Sequence, residues 1–175
     1  TDMYEDCERK FILIRVFQRL EYLLGEFAKI EEFTSGKIQL DKKEYFAIES
    51  VEQALDILLL NIDEIDIEND FDLKLNVDFE LFSIALKNLI DNAIKYNTNG
   101  NPKVYILENG IKIINKGDNL TKPIDEYYKP FNHEYETAQS GLGLGLYITN
   151  NIIKIHNYQL NYNYEEGHHI FFIKT

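Results

Sequence analysis

Asn88-Leu89-Ile90-Asp91-Asn92-Ala93-Ile94-Lys95-Tyr96 closes the clearest helical pattern of the chain. From Phe79 onward, Phe82, Leu86, Leu89, Ile90 and Ala93 recur at spacings of three and four, which predicts a helix over 79–96 with one apolar face. The spacing i, i+4, i+7 then gathers Asn88, Asn92 and Lys95 on the opposite face. A carboxamide oxygen is a hard, neutral ligand for magnesium, and a lysine one turn further on can meet a phosphate. The trio therefore suits a metal–nucleotide complex, although any solvated helix presents a polar face of this kind.

Downstream, Val104–Leu107 and Ile111–Ile114 read as two strands joined around Asn109-Gly110, a strong hairpin signal. From Lys116 to Ser140 the periodicity vanishes and Pro123 and Pro130 appear. An unstructured stretch of that length inside a compact domain reads as a mobile lid. Ser140-Gly141-Leu142-Gly143-Leu144-Gly145-Leu146 then sets three glycines at alternate positions before a helical run that ends near His156. Glycine lets backbone amides approach an anion, and the following helix offers unpaired N–H groups and the positive end of its dipole. The run lacks the Gly-Lys-Ser/Thr ending of a phosphate loop, and it comes too late in the chain for a dinucleotide fingerprint. Gln159–Tyr164 and His169–Ile173 close the chain as a strand pair around Gly167.

Upstream of the first helix, Leu73–Val77 alternates as a strand, Ser50–Ile62 reads as a helix, and Lys43–Ile48 reads as a short strand. Leu13, Val16, Leu20, Leu24, Phe27 and Ile30 form one stripe along a helix that stops at Thr34-Ser35-Gly36. That stripe is too short to stand alone as a coiled coil, so it calls for a partner helix.

Together and in this order, the segments resemble the GHKL ATPase superfamily and, within it, bacterial two-component sensor histidine kinases. Asn88 to Tyr96 resembles the asparagine box, Tyr128-Lys129-Pro130-Phe131 the phenylalanine box, and Gly141 to Gly145 the second glycine box. Arg19 to Ile38 resembles the second helix of the dimerisation and phosphotransfer module with its exit into the catalytic domain, so the likeness covers about residues 10 to 175. It implies an α/β fold of α+β two-layer type, the GHKL or Bergerat-type sandwich, with a mixed sheet packed on helices. Residues 1–36 would be the partial dimerisation helix and 37–175 the ATP-binding catalytic domain.

The same resemblance implies site roles. Asn92 would hold Mg2+; Asn88, Lys95 and Tyr96 would contact the metal-phosphate or ribose side; and Phe131, Gly141, Leu142, Gly143, Leu144, Gly145 and Leu146 would line the ATP site. In hydrolytic relatives the position of Asn88 is a glutamate that activates water, and an asparagine cannot serve as a general base, which favours transfer to a protein acceptor. The first glycine box departs from the pattern. Asn115-Lys116-Gly117-Asp118-Asn119 puts Asn115 where an aspartate normally accepts a hydrogen bond from the adenine amino group, and a carboxamide accepts it without charge assistance. Weakened adenine recognition is expected, with Asp118 as the alternative acceptor and Gly117 beside them. His133 stands where many relatives carry an arginine, and no histidine precedes it, so the phospho-accepting histidine is expected elsewhere in a longer protein.

The expected partners are that histidine-bearing helix of the same protein, a response regulator, and a second copy in a homodimeric four-helix bundle. The expected setting is the cytoplasmic portion of a membrane-anchored sensor. Size and charge agree: 175 residues suit one core with a short appendage, and a net charge of -12 disfavours nucleic acid and anionic membrane surfaces. The longest apolar run, Ile57–Leu60, is far too short to cross a bilayer. Cys7 alone builds no disulfide framework. Two other readings stay open at this point. One is a catalytically silent nucleotide-binding regulator of the same fold. The other is a GHKL protein of another branch such as an anti-sigma-factor kinase, against which the long seam helix argues.

Overall fold

The computed structural model describes residues 38–60, 62–132 and 143–175, together with positions 10, 13, 14, 17, 21, 24, 25, 28, 31, 35 and 36. His133, Gly141 and Leu142 lie outside the described residues, as does all of the expected lid beyond Asn132. The chain divides into two units, Thr1–Gln39 and Leu40–Thr175. In the first, the described positions from Lys10 to Ser35 are helical, and Leu13 and Leu24 of the apolar stripe are exposed, as are Ile14 and Phe17.

The second unit runs β1 (Lys42–Phe46), α1 (Ala47–Leu58), a 3-10 turn (Ile62–Glu64), β2 (Asp66–Asn69), β3 (Lys74–Asp78), α2 (Phe79–Lys95), β4 (Lys103–Leu107), β5 (Gly110–Lys116), α3 (Ile124–Tyr127), α4 (Gly145–Ile155), β6 (Gln159–Glu165) and β7 (His168–Lys174). Five strands form a sheet in the order β2-β4-β5-β7-β6, while β1 and β3 pair separately. The sheet is mixed, because β2 runs parallel to β4 and every other neighbour is antiparallel. This is the expected α/β sandwich, with α2 packed between α1 and α4 and against β5.

Period decides which residues enter the core. On α2, Phe82, Leu86, Leu89 and Ile90 are fully buried, and on the sheet Val104, Ile106, Ile111, Ile113 and Ile173 alternate inward to meet them. Each such side chain contributes about 1.5–3 kcal/mol relative to an exposed one. Asp78 starts α2 by accepting the Leu81 N–H at 3.1 Å, and Lys95 suits the negative end of the helix dipole.

Several elements differ from the sequence reading, among them a short helix, α3, within the expected lid. The first strand stops at Phe46, not Ile48, because the Glu49 carboxylate accepts the Phe46 N–H at 2.7 Å and turns the chain into α1 at Ala47, ahead of the expected Ser50. That helix ends at Leu58, not Ile62, where Leu59 adopts a left-handed φ of 54°. Strand β2 carries almost no strand signal of its own: Asp66, Glu68 and Asn69 are exposed, and it is held at the sheet edge by its pairing with β4.

The β4–β5 hairpin forms as read, with Gly110 at its closing position opposite Leu107. A Cβ there would come within 2.0 Å of the Ile173 carbonyl oxygen on β7, so close strand approach excludes any side chain.

Candidate functional site

The polar face of α2 meets the start of α4. Asn88 donates from Nδ2 to the Gly145 carbonyl at 3.4 Å, across 57 residues of chain. Lys87 Nζ lies 3.5 Å from Asn88 Oδ1 and brings a cation to this junction. The N-terminus of α4 has no side-chain cap among the described residues, since Leu144 occupies that position, and the positive end of its dipole lies at this junction. A Cβ on Gly145 would sit 3.8 Å from Asn88 Cγ, an ordinary contact. Asn92 follows one turn along α2 and is half-buried, and Tyr96 ends the helix, exposed. Lys95 pairs with Asp91 at 2.6 Å. Both side chains reach solvent, and such i,i+4 pairs are worth only about 0.3–0.5 kcal/mol, so Lys95 can leave Asp91 for a phosphate at little cost.

The base of the lid abuts the same helix start. After α3, Phe131 adopts φ 64° and is exposed, while Asn132 donates to the Glu126 carbonyl at 2.8 Å and accepts from Lys122 Nζ at 3.1 Å. Gly143 has φ 68°, and a Cβ on it would fall 2.4 Å from the Asn132 carbonyl oxygen. The phenylalanine and second glycine segments therefore meet backbone to backbone, which only glycine permits. Leu144 is buried and Leu146 half-buried beside them.

At the end of β5, Asn115 is 5% exposed and its Nδ2 has no hydrogen-bond partner. Leaving such a donor unpaired costs about 1–3 kcal/mol. Asp118, by contrast, is exposed. In the ladder Asn115 stands opposite His169, and a Cβ on the buried Gly117 would lie 3.0 Å from both His169 Nε2 and the Tyr96 carbonyl oxygen. Gly117 is further clamped, its N–H donating to Gly167 at 3.0 Å and its carbonyl accepting from the Tyr164 hydroxyl at 3.0 Å. The Tyr162 hydroxyl lies 2.8 Å from His169 Nδ1. The Tyr128 hydroxyl is buried without a partner among the described residues, and burial, aided by Asp125 and Tyr162, pushes its pKa well above the ordinary tyrosine range.

Lys87, Tyr162, Tyr164 and His169 were not singled out for this site by sequence reasoning, and Tyr128 entered it only as the first residue of the phenylalanine segment. The usable signal was the alternation in β6, whose half-buried Tyr162 and Tyr164 pair with inward Phe171 and His169. His156 lies elsewhere. It is 2% exposed, donates from Nδ1 to the Ile152 carbonyl at 2.7 Å and accepts the Asp78 N–H at Nε2, 3.0 Å away. Burial holds its pKa below the usual 6.5, and it ties the end of α4 to the start of α2.

A cleft of about 830 Å3 opens on the sheet face that carries Tyr105, Ile114 and Ile170, and Asn115 and Lys116 at the end of β5 also line it. Among the described residues no cluster of three His, Cys, Asp or Glu side chains is placed to hold a metal, and no helix is long and apolar enough to cross a membrane.

Residues 77–174, more than half of the chain, match the family of histidine kinase-, DNA gyrase B-, and HSP90-like ATPases, and the chain belongs to that family. It is 31% identical over 156 residues to the sensor histidine kinase ArsS of Helicobacter pylori, a match that covers 87% of this chain and 36% of ArsS. The chain thus spans about a third of the length of that relative. Among solved structures it is similar in fold to the Acinetobacter baumannii histidine kinase AdeS, with a TM-score of 0.71 at 23% identity over 90% of this chain and 78% of that one. It is also similar to the catalytic domain of histidine kinase ThkA in a nucleotide-free form, with a TM-score of 0.62 at 23% identity over 76% of this chain and 93% of that one.

Proposed function

We propose that residues 37–175 form the catalytic domain of a two-component sensor histidine kinase, which binds Mg-ATP and transfers its terminal phosphoryl group to a histidine on a separate helix of the same protein. The observation that carries this reading is the meeting of the asparagine helix, the lid base and the uncapped glycine-led helix at one place, through Asn88 to Gly145 and Asn132 to Gly143. A helix start without a side-chain cap, beside the Asn88 carboxamide and Lys87, suits a polyphosphate, with Lys95 further along the same helix.

In this reading the amides of Gly141 to Leu146, with Lys95 and Lys87, hold the phosphates. Asn92 ligates Mg2+ with Asn88 beside it, and Tyr96 and Phe131 border the ribose and lid sides. Asn115 and Gly117 lie at the base, with Asp118 the less favoured acceptor because it is exposed where Asn115 is buried. With no three-residue acidic or histidine cluster among the described residues, the metal would depend on carboxamide and phosphate oxygens. Bound magnesium would supply charge neutralisation for the transferring group.

Because Asn88 cannot take a proton from water, the acceptor imidazole is the nucleophile. An N–P bond forms as the bond from the terminal phosphorus to the ADP oxygen breaks. Residues 1–36 would be the second helix of the dimerisation module, which packs in a homodimer. The phosphoryl group would pass to a response regulator in the cytoplasm.

The test supplies the chain with γ-labelled ATP, magnesium and the histidine-bearing helix hairpin of the intact protein. Label on the hairpin histidine is expected. Release of labelled phosphate with an unlabelled hairpin would contradict transfer.

A further inference from the structure

The interior contacts of Asn115 bear on which purines the site accepts, an inference that rests on the nucleotide-site reading above. Asn115 ends β5 with its side chain on the inward face, in line with Ile111 and Ile113, and only 5% of it is exposed. Its Nδ2 meets no acceptor among the described residues. No interior hydrogen bond therefore fixes which end of the carboxamide is turned towards a ligand, and the terminal torsion of asparagine is broad and roughly two-fold. A half-turn exchanges an acceptor for a donor at the same point in space.

An ionised aspartate has no such freedom, since both of its oxygens only accept. It matches the 6-amino group of adenine and opposes the lone pairs of a 6-oxo group. We propose that Asn115 reads the 6-position of a purine in either sense, with Oδ1 accepting from a 6-amino group or Nδ2 donating to a 6-oxo group. The site then takes 6-oxopurine triphosphates alongside ATP. Around it, Gly117 keeps the approach free of a side chain that would strike His169 and the Tyr96 carbonyl.

The experiment titrates the chain with magnesium and either ATP or inosine triphosphate, which differs from ATP only in its 6-oxo group and N1–H. Wild type and Asn115→Asp are compared by calorimetry, with circular dichroism to confirm folding. The inference expects dissociation constants for the two nucleotides within about tenfold of each other in the wild type. Asn115→Asp should weaken inosine triphosphate relative to ATP by about 5- to 150-fold, the cost of an unpaired buried polar group. Should Asn115→Asp fail to fold, Asn115→Ala substitutes for it and is expected to weaken both nucleotides by the same factor.

ATP binding with inosine triphosphate more than a hundredfold weaker in the wild type would overturn this inference and leave the nucleotide site standing. An equal response of both nucleotides to Asn115→Asp, or loss of ATP alone in Asn115→Ala, would do the same. Binding of neither nucleotide would overturn both readings.

Discussion

Gly145 and Gly143 sit two residues apart in one glycine segment, yet their constraints differ. A methyl on Gly145 meets only Asn88 Cγ at 3.8 Å and occupies an ordinary helical conformation, whereas one on Gly143 collides with Asn132 backbone at φ 68°. Gly145→Ala should fold with unchanged or slightly raised melting temperature, since alanine favours a helix by about 1 kcal/mol over glycine. It should nevertheless weaken ATP by roughly tenfold, because a methyl then stands where the phosphates approach the amides of α4. Gly143→Ala should lower the melting temperature, and thermal unfolding of the two variants separates the roles. The alternating glycines were legible from sequence; that the fold closes Gly143 to a side chain and leaves Gly145 open to one was not. That depends on Asn132, a residue from another segment that no local pattern pairs with Gly143.

At the scale of elements, the start of α2 and the end of α4 are joined by a short polar relay. Asp78 caps α2 through Leu81, its Oδ2 accepts the Asp41 N–H at 3.1 Å, and its own N–H reaches His156 Nε2. Asp78→Ala should cost about 0.5–2 kcal/mol, read as a lower denaturation midpoint. The His156 imidazole is neutral in this arrangement, and protonation would destroy its acceptor at Nε2. Its folded pKa lies below the ordinary 6.5, so the unfolded chain takes up more protons in the window beneath that value. Stability from this group is therefore complete above pH 6.5 and falls as the pH drops through the interval down to the folded pKa. Denaturation at pH 7.5 and 5.5 should show a larger loss for the wild type than for His156→Gln, and an equal loss in both would refute the relay. Helix α2 and the hairpin of β4 and β5 were legible because a strong period fills them with buried aliphatic side chains. Strand β2 was not, because Asp66, Glu68 and Asn69 are exposed and its pairing with β4 spans about 35 residues of chain. His156 was readable as the end of its helix, but its partner Asp78 was not.

Over the whole molecule, the three family segments were visible in sequence, while their convergence at Asn88, Asn132 and Gly145 is a property of topology alone. With a net charge of -12, a polyphosphate at the proposed site would be held against the field of its own chain, which argues for partial neutralisation of the ligand. The most direct test is therefore a calorimetric titration of the chain with ATP, with and without magnesium, in the wild type and in Asn92→Ala. Binding that requires magnesium and falls by at least about tenfold in Asn92→Ala, with the fold intact, is the predicted result. Binding of equal strength without magnesium, or in Asn92→Ala, would contradict a catalytic domain that holds its metal–nucleotide complex on α2.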